Sequence, residues 1–112
     1  MNKVQLEGRL GRDPETKFTA GATQITTVSL ATSNDYKDKA TGQFIKKPSS
    51  WHNLVAFGDV AKALAEYRKG DVIHAEGKIQ YEDWIDAEGK KRTGTKIICF
   101  AAELKTTPEE RK

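Results

Sequence analysis

Cysteine is almost absent from this chain, since Cys99 is the only one in 112 residues. A single cysteine excludes an intrachain disulfide, which indicates a reducing compartment and a small apolar strand residue at position 99. No run of about 18 apolar residues occurs, and the N-terminal MNKVQLEGRL has no hydrophobic segment of a secretory signal. We therefore expect a cytoplasmic domain over residues 1–105 with no membrane segment, followed by a short disordered tail at 106–112.

The chain also has little excess of charge of one sign, with a net charge of +3. Residues 1–57 carry eight Lys and Arg against five Asp and Glu, whereas residues 58–112 carry eleven of each. The basic excess thus lies in the first half. It is compatible with a polyanionic partner, and equally with an ordinary solvated surface.

Residue patterns typical of catalysis or metal binding are missing. His52 and His74 fall on different predicted strands, and no Cys or carboxylate spacing is typical of a metal site. A predicted hairpin turn region contains three carboxylates, Glu82, Asp83 and Asp86. The sequence implies no apolar pocket there that would shift their pKa values toward those needed for acid–base catalysis. The glycines of GRLGRD do not open a helix, as a phosphate-binding loop would. We expect no enzyme, no metal and no cofactor.

Period-two alternation dominates the sequence and predicts strands. In the first, Val4, Leu6 and Leu10 alternate with polar residues. In the second, Ile25 and Val28 are three apart, which predicts a bent or bulged strand. The segment GDVAKALAEYRKG has helical spacing instead, with Asp59 as the expected N-cap and Gly70 just past the end. The predicted strands cover 3–10, 23–33, 51–58, 71–84 and 95–104, and a long polar loop follows the second.

The order of three strands, one helix and two strands predicts a mainly β fold, the OB-fold. This is a partly open, five-stranded Greek-key barrel with one short helix between strands three and four. Closure into a barrel covers the apolar face of every strand. Gly8 and Gly77, inside strands, would help the strands to bend.

The aromatic residues fall in unexpected positions. Strict alternation places Trp84 on the polar face of the fourth strand, so it is not a core residue of its own domain. A nucleobase is a suitable partner, because stacking on an aromatic ring contributes roughly 1–3 kcal/mol per base. Tyr36 lies in the long loop among lysines. Trp51 and Phe57 share a face of the third strand, but both faces of that strand are partly apolar. A core position and a base-stacking position therefore both remain open for these two residues.

Several segments together resemble the bacterial single-stranded DNA-binding protein family, including its phage and plasmid members. They are NKVQLEGRLGRDPE, VSLATSNDYKDKATG, WHNLVAFG and EGKIQYEDWIDAEGKKR. The resemblance implies an OB-fold, usually a homotetramer. It also implies binding of single-stranded DNA without strict sequence preference, protecting it in replication, repair and recombination. It implies that Tyr36, Trp51, Phe57 and Trp84 stack on bases.

The cations expected to contact phosphates lie mainly in the first half and in the last hairpin. They are Lys3, Arg9, Lys37, Lys39, Lys78, Lys90, Lys91 and Arg92. The sequence departs from the family at Glu82 and Asp83, where basic residues are common. The two acids should weaken phosphate contact there, or move the DNA path toward residues 90–92. The family's acidic C-terminal tail is absent from these residues, so no tail-dependent recruitment of replication enzymes is expected. A tail-less phage or plasmid type and a chain cut to the folded domain both fit.

Two other binding functions stay open. One is a dimeric, OB-fold primosome accessory protein, against which the WHNLVAFG match argues. The other is a protein-interaction module whose exposed aromatics meet a partner chain. His52 faces away from Trp51, toward the side of Leu54 and Ala56. It is either a satisfied histidine at the barrel edge or a subunit-interface residue, in which case protonation near pH 6 would loosen the assembly.

Overall fold

The computed structural model describes residues 1–107, and most of them form strands. The strands are β1 Val4–Leu10, β2 Glu15–Phe18, β3 Gln24–Thr32, β4 Tyr36–Lys37, β5 Phe44–Ile45, β6 Ser50–Phe57, β7 Val72–Ile85 and β8 Lys91–Leu104, and the helix is α1 Asp59–Ala65. The five predicted strands are β1, β3, β6, β7 and β8. The short strands β2, β4 and β5 were not predicted, because two to four exposed residues carry no clear alternation.

The main sheet closes on itself as a barrel. Its order is β1-β7-β8-β6-β3-β2, and β1 also pairs with β3 through Arg9–Ala31 and Leu10–Leu30. Strands β6 and β8 are parallel, and the other pairs are antiparallel. Helix α1 lies between β6 and β7 in the chain and packs on β3. The predicted OB-fold, with its helix between the third and fourth predicted strands, is confirmed.

Of the bent or bulged strand predicted at β3, the bulge is wrong, as its inward face shows, while the bend stays a prediction. The buried residues alternate regularly as Thr26, Val28 and Leu30, and the pairing of β3 with β6 runs without a shift. Ile25 faces outward, and Thr26 takes the inward position next to it. The Thr26 hydroxyl donates a hydrogen bond to the Ala61 carbonyl of α1 at 2.8 Å, so burial leaves no polar group unsatisfied.

The bulge lies instead in β8. Glu76 of β7 stands opposite Ala101, and Gly77 stands opposite Cys99, which leaves Phe100 as an extra residue. A Cβ on Gly77 would be 2.2 Å from the Ile98 carbonyl oxygen. Only glycine fits such a close approach of two strands, which agrees with the expected role of Gly77 in bending.

The helix begins one residue earlier than expected. Gly58, with φ 64°, is the N-cap and makes no side-chain cap, so the prediction of Asp59 as the cap is wrong. Asp59 is the first helical residue, where its charge favours the N-terminal end of the helix dipole. Leu64 is buried in the core. Within residues 1–107, no helix is long and apolar enough to cross a membrane.

Lys105 and Thr106, the first residue of the predicted tail, are attached to β7. The Lys105 and Thr106 amides donate hydrogen bonds to the Val72 carbonyl at 2.7 and 3.2 Å. The Val72 amide donates to the Thr106 hydroxyl at 2.5 Å. The stretch 108–112 of the predicted tail lies outside the described residues.

Strands β7 and β8 continue beyond the barrel as a two-stranded arm, which we define as residues 80–96. At its tip, one Asp86 carboxylate oxygen accepts hydrogen bonds from the Glu88 and Lys90 amides, both at 2.9 Å. The other accepts from the Arg92 Nε at 2.9 Å. These bonds hold the pKa of Asp86 below its ordinary value of 3.8, with the Arg92 bond as the largest cause.

Candidate nucleic-acid interface

Three of the four predicted stacking residues lie on one continuous surface. We define the outer sheet surface as the outward-facing residues of β3, β6, β7 and β8. Within it, Val55 of β6 pairs with Ile98 of β8. Both face outward, because their neighbours Leu54 and Ile97 are buried. Alternation then places Trp51 and Phe57 on the same side of β6. On the arm, Trp84 pairs with Arg92, which lies on the same side of β8 as Ile98. The predicted outward position of Trp84 is confirmed.

The Trp51 ring lies directly against the backbone of Gly11. A Cβ placed on Gly11 would be 2.3 Å from Cζ3 and 2.7 Å from Cη2 of the indole. Even a methyl group at this position would displace the ring. The backbone therefore covers part of the indole, and Trp51 stays 62% exposed. An aromatic ring with one side supported and much of its surface free suits stacking with a planar ligand.

Arg9 is the cation nearest to Trp51 in the sheet register. Arg9 pairs with Ala31, which in turn pairs with Trp51, so the three residues form one row across β1, β3 and β6. One guanidinium nitrogen, Nη1, donates to the Gly70 carbonyl at 2.6 Å. The other donors of the guanidinium make no ion pair within residues 1–107 and are available to a phosphate. We call Trp51, Gly11 and Arg9 the Trp51 platform.

Trp84 repeats this arrangement on the arm. A Cβ on Gly94 would be 2.9 Å from Cζ3 and 3.0 Å from Cη2 of the Trp84 ring. The ring thus crosses to β8 and lies over Gly94, and its side chain is 50% exposed. Neither supporting glycine was predicted, because nothing in the sequence links Gly11 to Trp51 or Gly94 to Trp84.

Tyr36 lies apart from the outer sheet surface, on the small β4–β5 hairpin. The base of this hairpin is joined to the start of β6, since the Asn34 amide donates to the Ser50 hydroxyl at 2.8 Å. Lys47 Nζ lies 5.2 Å from the centre of the Tyr36 ring, a cation–π contact. Lys37 and Lys39 are exposed and make no ion pair among the described residues.

The acidic residues of the arm are paired with its basic residues. Glu82 forms an ion pair with Lys96, and Asp83 lies 3.8 Å from Lys91 Nζ. Asp86 holds Arg92. The arm as defined carries four acidic and four basic side chains. Of the predicted hairpin cations, Lys91 and Arg92 are thus engaged within the chain, while Lys90 makes no ion pair within residues 1–107.

The two remaining predicted cations flank the join of β1 and β7. Lys78 pairs with Ile98, which places it on the outer sheet surface, and it has no ion pair in the described chain. Lys3 Nζ lies 4.0 Å from Glu76. A hydrogen bond from Gln5, then the charge of Lys3, hold the pKa of Glu76 below its ordinary value.

His52 lies on the predicted side of β6, with Leu54 and Ala56, and is half-buried at the barrel edge. Its Nε2 is 2.8 Å from the Thr32 hydroxyl. This contact gives the imidazole a partner within its own chain. The alternative role of His52 at a subunit interface stays a prediction.

Two outward residues of the sheet were missed by sequence reasoning. Phe100 is 50% exposed and lies two residues after the outward Ile98. Lys17 of β2 pairs with Ile25, which pairs with Phe57. Neither carries a usable sequence signal, because the fifth predicted strand has apolar residues on both faces and most of β2 was assigned to no predicted element. Over residues 1–107, no group of three or more His, Cys, Asp or Glu side chains could hold a metal ion. Burial raises the pKa of the Cys99 thiol, as expected for an inert core cysteine.

Comparisons with known proteins show the family to which the chain belongs. Residues 1–105 match the family described as Single-strand binding protein family. The chain is 41% identical over 100 residues to Single-stranded DNA-binding protein 1 of Xylella fastidiosa (strain 9a5c), covering 88% of this chain and 73% of that protein. The fold is similar to a structure titled Plasmodium falciparum SSB complex with ssDNA, with a TM-score of 0.78 and 28% identity over 93% of this chain and 92% of the other. This chain belongs to the single-strand binding protein family.

Proposed function

We propose that this protein binds single-stranded DNA with little sequence preference, and so protects it during replication, repair and recombination. The observation that carries the proposal is the outer sheet surface. It presents Trp51, Phe57 and Trp84 on one side of a continuous sheet, with each indole supported by a glycine backbone. The family membership, the name of the Xylella relative and the DNA in the Plasmodium complex support the same ligand.

The binding mechanism is passive. Bases of a single strand stack on Trp51, Phe57 and Trp84, and on Tyr36 of the adjoining hairpin. The available cations Arg9, Lys37, Lys39, Lys78 and Lys90 neutralise phosphates, with a smaller share from Lys3, Lys91 and Arg92, whose charges have partners within the chain. Duplex DNA binds weakly, since its bases are already stacked and paired. No step requires a metal, a cofactor or a catalytic group.

The working unit is a homo-oligomer, a tetramer with a dimer as the alternative, acting in the cytoplasm. Residues 1–105 form the binding domain, and recruitment of other replication proteins through a tail is not part of the proposal. An oligomer gives one strand several copies of the outer sheet surface, which raises affinity through local concentration without new contacts.

Fluorescence titration tests the proposal, because Trp51 and Trp84 are the chain's only tryptophans. The protein is titrated with oligo-dT and with a duplex of matched charge, at two salt concentrations. Strong quenching by the single strand and little response to the duplex are expected. Affinity for the single strand should fall with salt, with a log–log slope of about −0.7 per phosphate neutralised. Equal affinity for both DNAs, or no quenching by either, refutes the proposal.

One observation favours a second function, contact with another protein. The arm face opposite Trp84 exposes Tyr81 by 70% and Ile85 by 73%. A protein bound there would bury apolar area, and its affinity would depend little on salt. The same titration separates the two functions, since a protein-interaction module gives no oligo-dT response.

A further inference from the structure

Phe100 is an exposed aromatic ring in the middle of a long, paired strand. Its preceding neighbour Cys99 is 3% exposed and faces the core, and Ala102 packs against the core on the other side of the bulge. The bulge therefore turns two consecutive residues, Phe100 and Ala101, away from the core. Half of the Phe100 side chain remains exposed, although ordinary alternation would give only one outward residue at this point.

The position of Phe100 continues the outer sheet surface next to Phe57. Val55 and Ile98 are paired in the parallel β6–β8 ladder, and Phe57 and Phe100 each lie two residues further along their strands. Neighbouring strands are about 4.8 Å apart, so the two rings occupy adjacent strands of one surface. The row runs on through Ile25 to Lys17, whose exposed ammonium makes no ion pair within residues 1–107.

We infer that Phe100 is an additional base-stacking position, which with Phe57 accepts consecutive bases of the bound strand. This inference rests on the proposed function. A nucleobase fits better than another apolar ligand because the ring continues a surface that already presents Trp51, Phe57 and Trp84. Lys17, at the end of the same row, supplies a charge for the connecting phosphate. Phe100 thereby lengthens the DNA path along β8, away from the arm.

Alanine and conservative substitutions test the stacking role through affinity for oligo-dT. Phe100→Ala should weaken binding about fivefold or more, the lower end of what one base–aromatic stack contributes. Phe100→Tyr should keep wild-type affinity, while Phe100→Leu should weaken binding despite its apolar side chain. Phe18→Ala is the matched control, since Phe18 is 66% exposed and lies beside Lys17 on β2, so it faces the other side. Wild-type affinity in Phe100→Leu, or equal losses in Phe100→Ala and Phe18→Ala, overturns the inference.

A direct probe remains informative even where Phe100→Ala does not fold. In a chain with Trp51→Phe and Trp84→Phe, Phe100→Trp makes position 100 the only fluorescent indole. Oligo-dT should quench it strongly, whereas the same background with Phe18→Trp should show little quenching. An unquenched indole at position 100 overturns the inference.

The remaining outcomes separate this inference from the proposed function. If wild-type protein does not bind oligo-dT, the proposed function fails first. If wild-type protein binds and Trp51→Ala weakens it while Phe100→Ala does not, only the role of Phe100 fails. Oligomer mass is measured by sedimentation for each variant. A change of mass in Phe100→Ala would identify the ring as a contact between copies of this chain, and would also overturn the inference.

Discussion

The Trp51 platform and the arm support their tryptophans in the same way but distribute charge differently. Each indole lies against a glycine backbone, Gly11 in one case and Gly94 in the other. Arg9 beside Trp51 has no acidic partner among the described residues, whereas Lys91, Arg92 and Lys96 on the arm are paired with carboxylates. The two regions therefore offer similar stacking surfaces, but the basic residues of the arm, except Lys90, are paired with carboxylates, whereas Arg9 of the platform is not.

The charge difference gives the arm a particular role. Residues just before Trp84 are acidic, and opening their ion pairs would cost part of what a phosphate contact contributes. A strand that reaches Trp84 is thus held there mainly by stacking. A strand at the Trp51 platform is held by stacking and by charge.

The largest expected effect is the loss of a stacking ring. Trp51→Ala should weaken oligo-dT binding by about 2–3 kcal/mol, toward the upper end for one stacked base. The reason is that the DNA strand is held at this platform both by stacking on Trp51 and by the charge of Arg9. Trp84→Ala should cost about 1 kcal/mol. Fluorescence anisotropy with labelled oligo-dT measures both. Tyr81→Ala, an exposed aromatic on the other arm face, is the control and should have no effect. An equal or larger loss in Trp84→Ala would contradict the difference between the regions.

A smaller effect is expected from the supporting glycines. Gly11→Ala places its methyl group 2.3 Å from the Trp51 ring, so the ring must move, and binding should weaken by about 1 kcal/mol. Gly94→Ala overlaps less, at 2.9 Å, and should cost less. Affinity for oligo-dT and the thermal unfolding temperature are measured together.

Gly21→Ala is the matched control for both glycines, since its nearest contact would be 3.9 Å away. It should leave affinity and stability unchanged. Wild-type binding by Gly11→Ala would mean that the supported position of Trp51 does not matter for stacking.

The charge contrast predicts different salt dependences. Replacing Lys37 and Lys39 together by Ala should reduce the magnitude of the log–log salt slope by about 1.4, because each neutralised phosphate contributes about 0.7 to it. Lys91→Ala should change it by much less, since Asp83 already neutralises that ammonium. Affinity is measured between low and moderate salt, with Lys62→Ala of the helix as the control. Equal slope changes in both variants would show that the arm's ion pairs open on binding.

The smallest effect concerns acid and the arm tip. The pKa of Asp86 is lowered in the folded arm. Its ionised carboxylate therefore stabilises the tip fully when the pH is above 3.8, the ordinary pKa of an Asp side chain. That contribution is lost as the pH falls below 3.8 and through the lower folded value. The Glu88 and Lys90 amides should exchange faster with solvent at pH 3 than at pH 6, after correction for intrinsic rates, as NMR can measure. Asp86→Asn should remove most of this pH difference; unchanged protection in wild type would contradict the role of Asp86.

Predictions from the sequence succeeded where a residue's neighbours along the chain decide its environment. The alternation in β1, β6 and β7 located the strands, and it placed Trp84 outward because that strand keeps its period. The same reasoning failed at Thr26. A hydroxyl takes an inward position there because a helix carbonyl, 35 residues away in sequence, accepts its hydrogen bond. It also failed at Asp59, since Gly58, with a positive φ, takes the N-cap position.

Taken alone, the sequence determined the strand periodicity, the excess of basic residues in the first half and the set of aromatics outside a simple core pattern. These properties depend on side-chain type and local spacing. Tertiary structure decided which aromatics share a surface, which glycine lies behind each indole, which lysines are neutralised, and that a bulge exposes Phe100. Each of these depends on strand register, and register is fixed by closing the barrel, which brings together residues far apart in the chain.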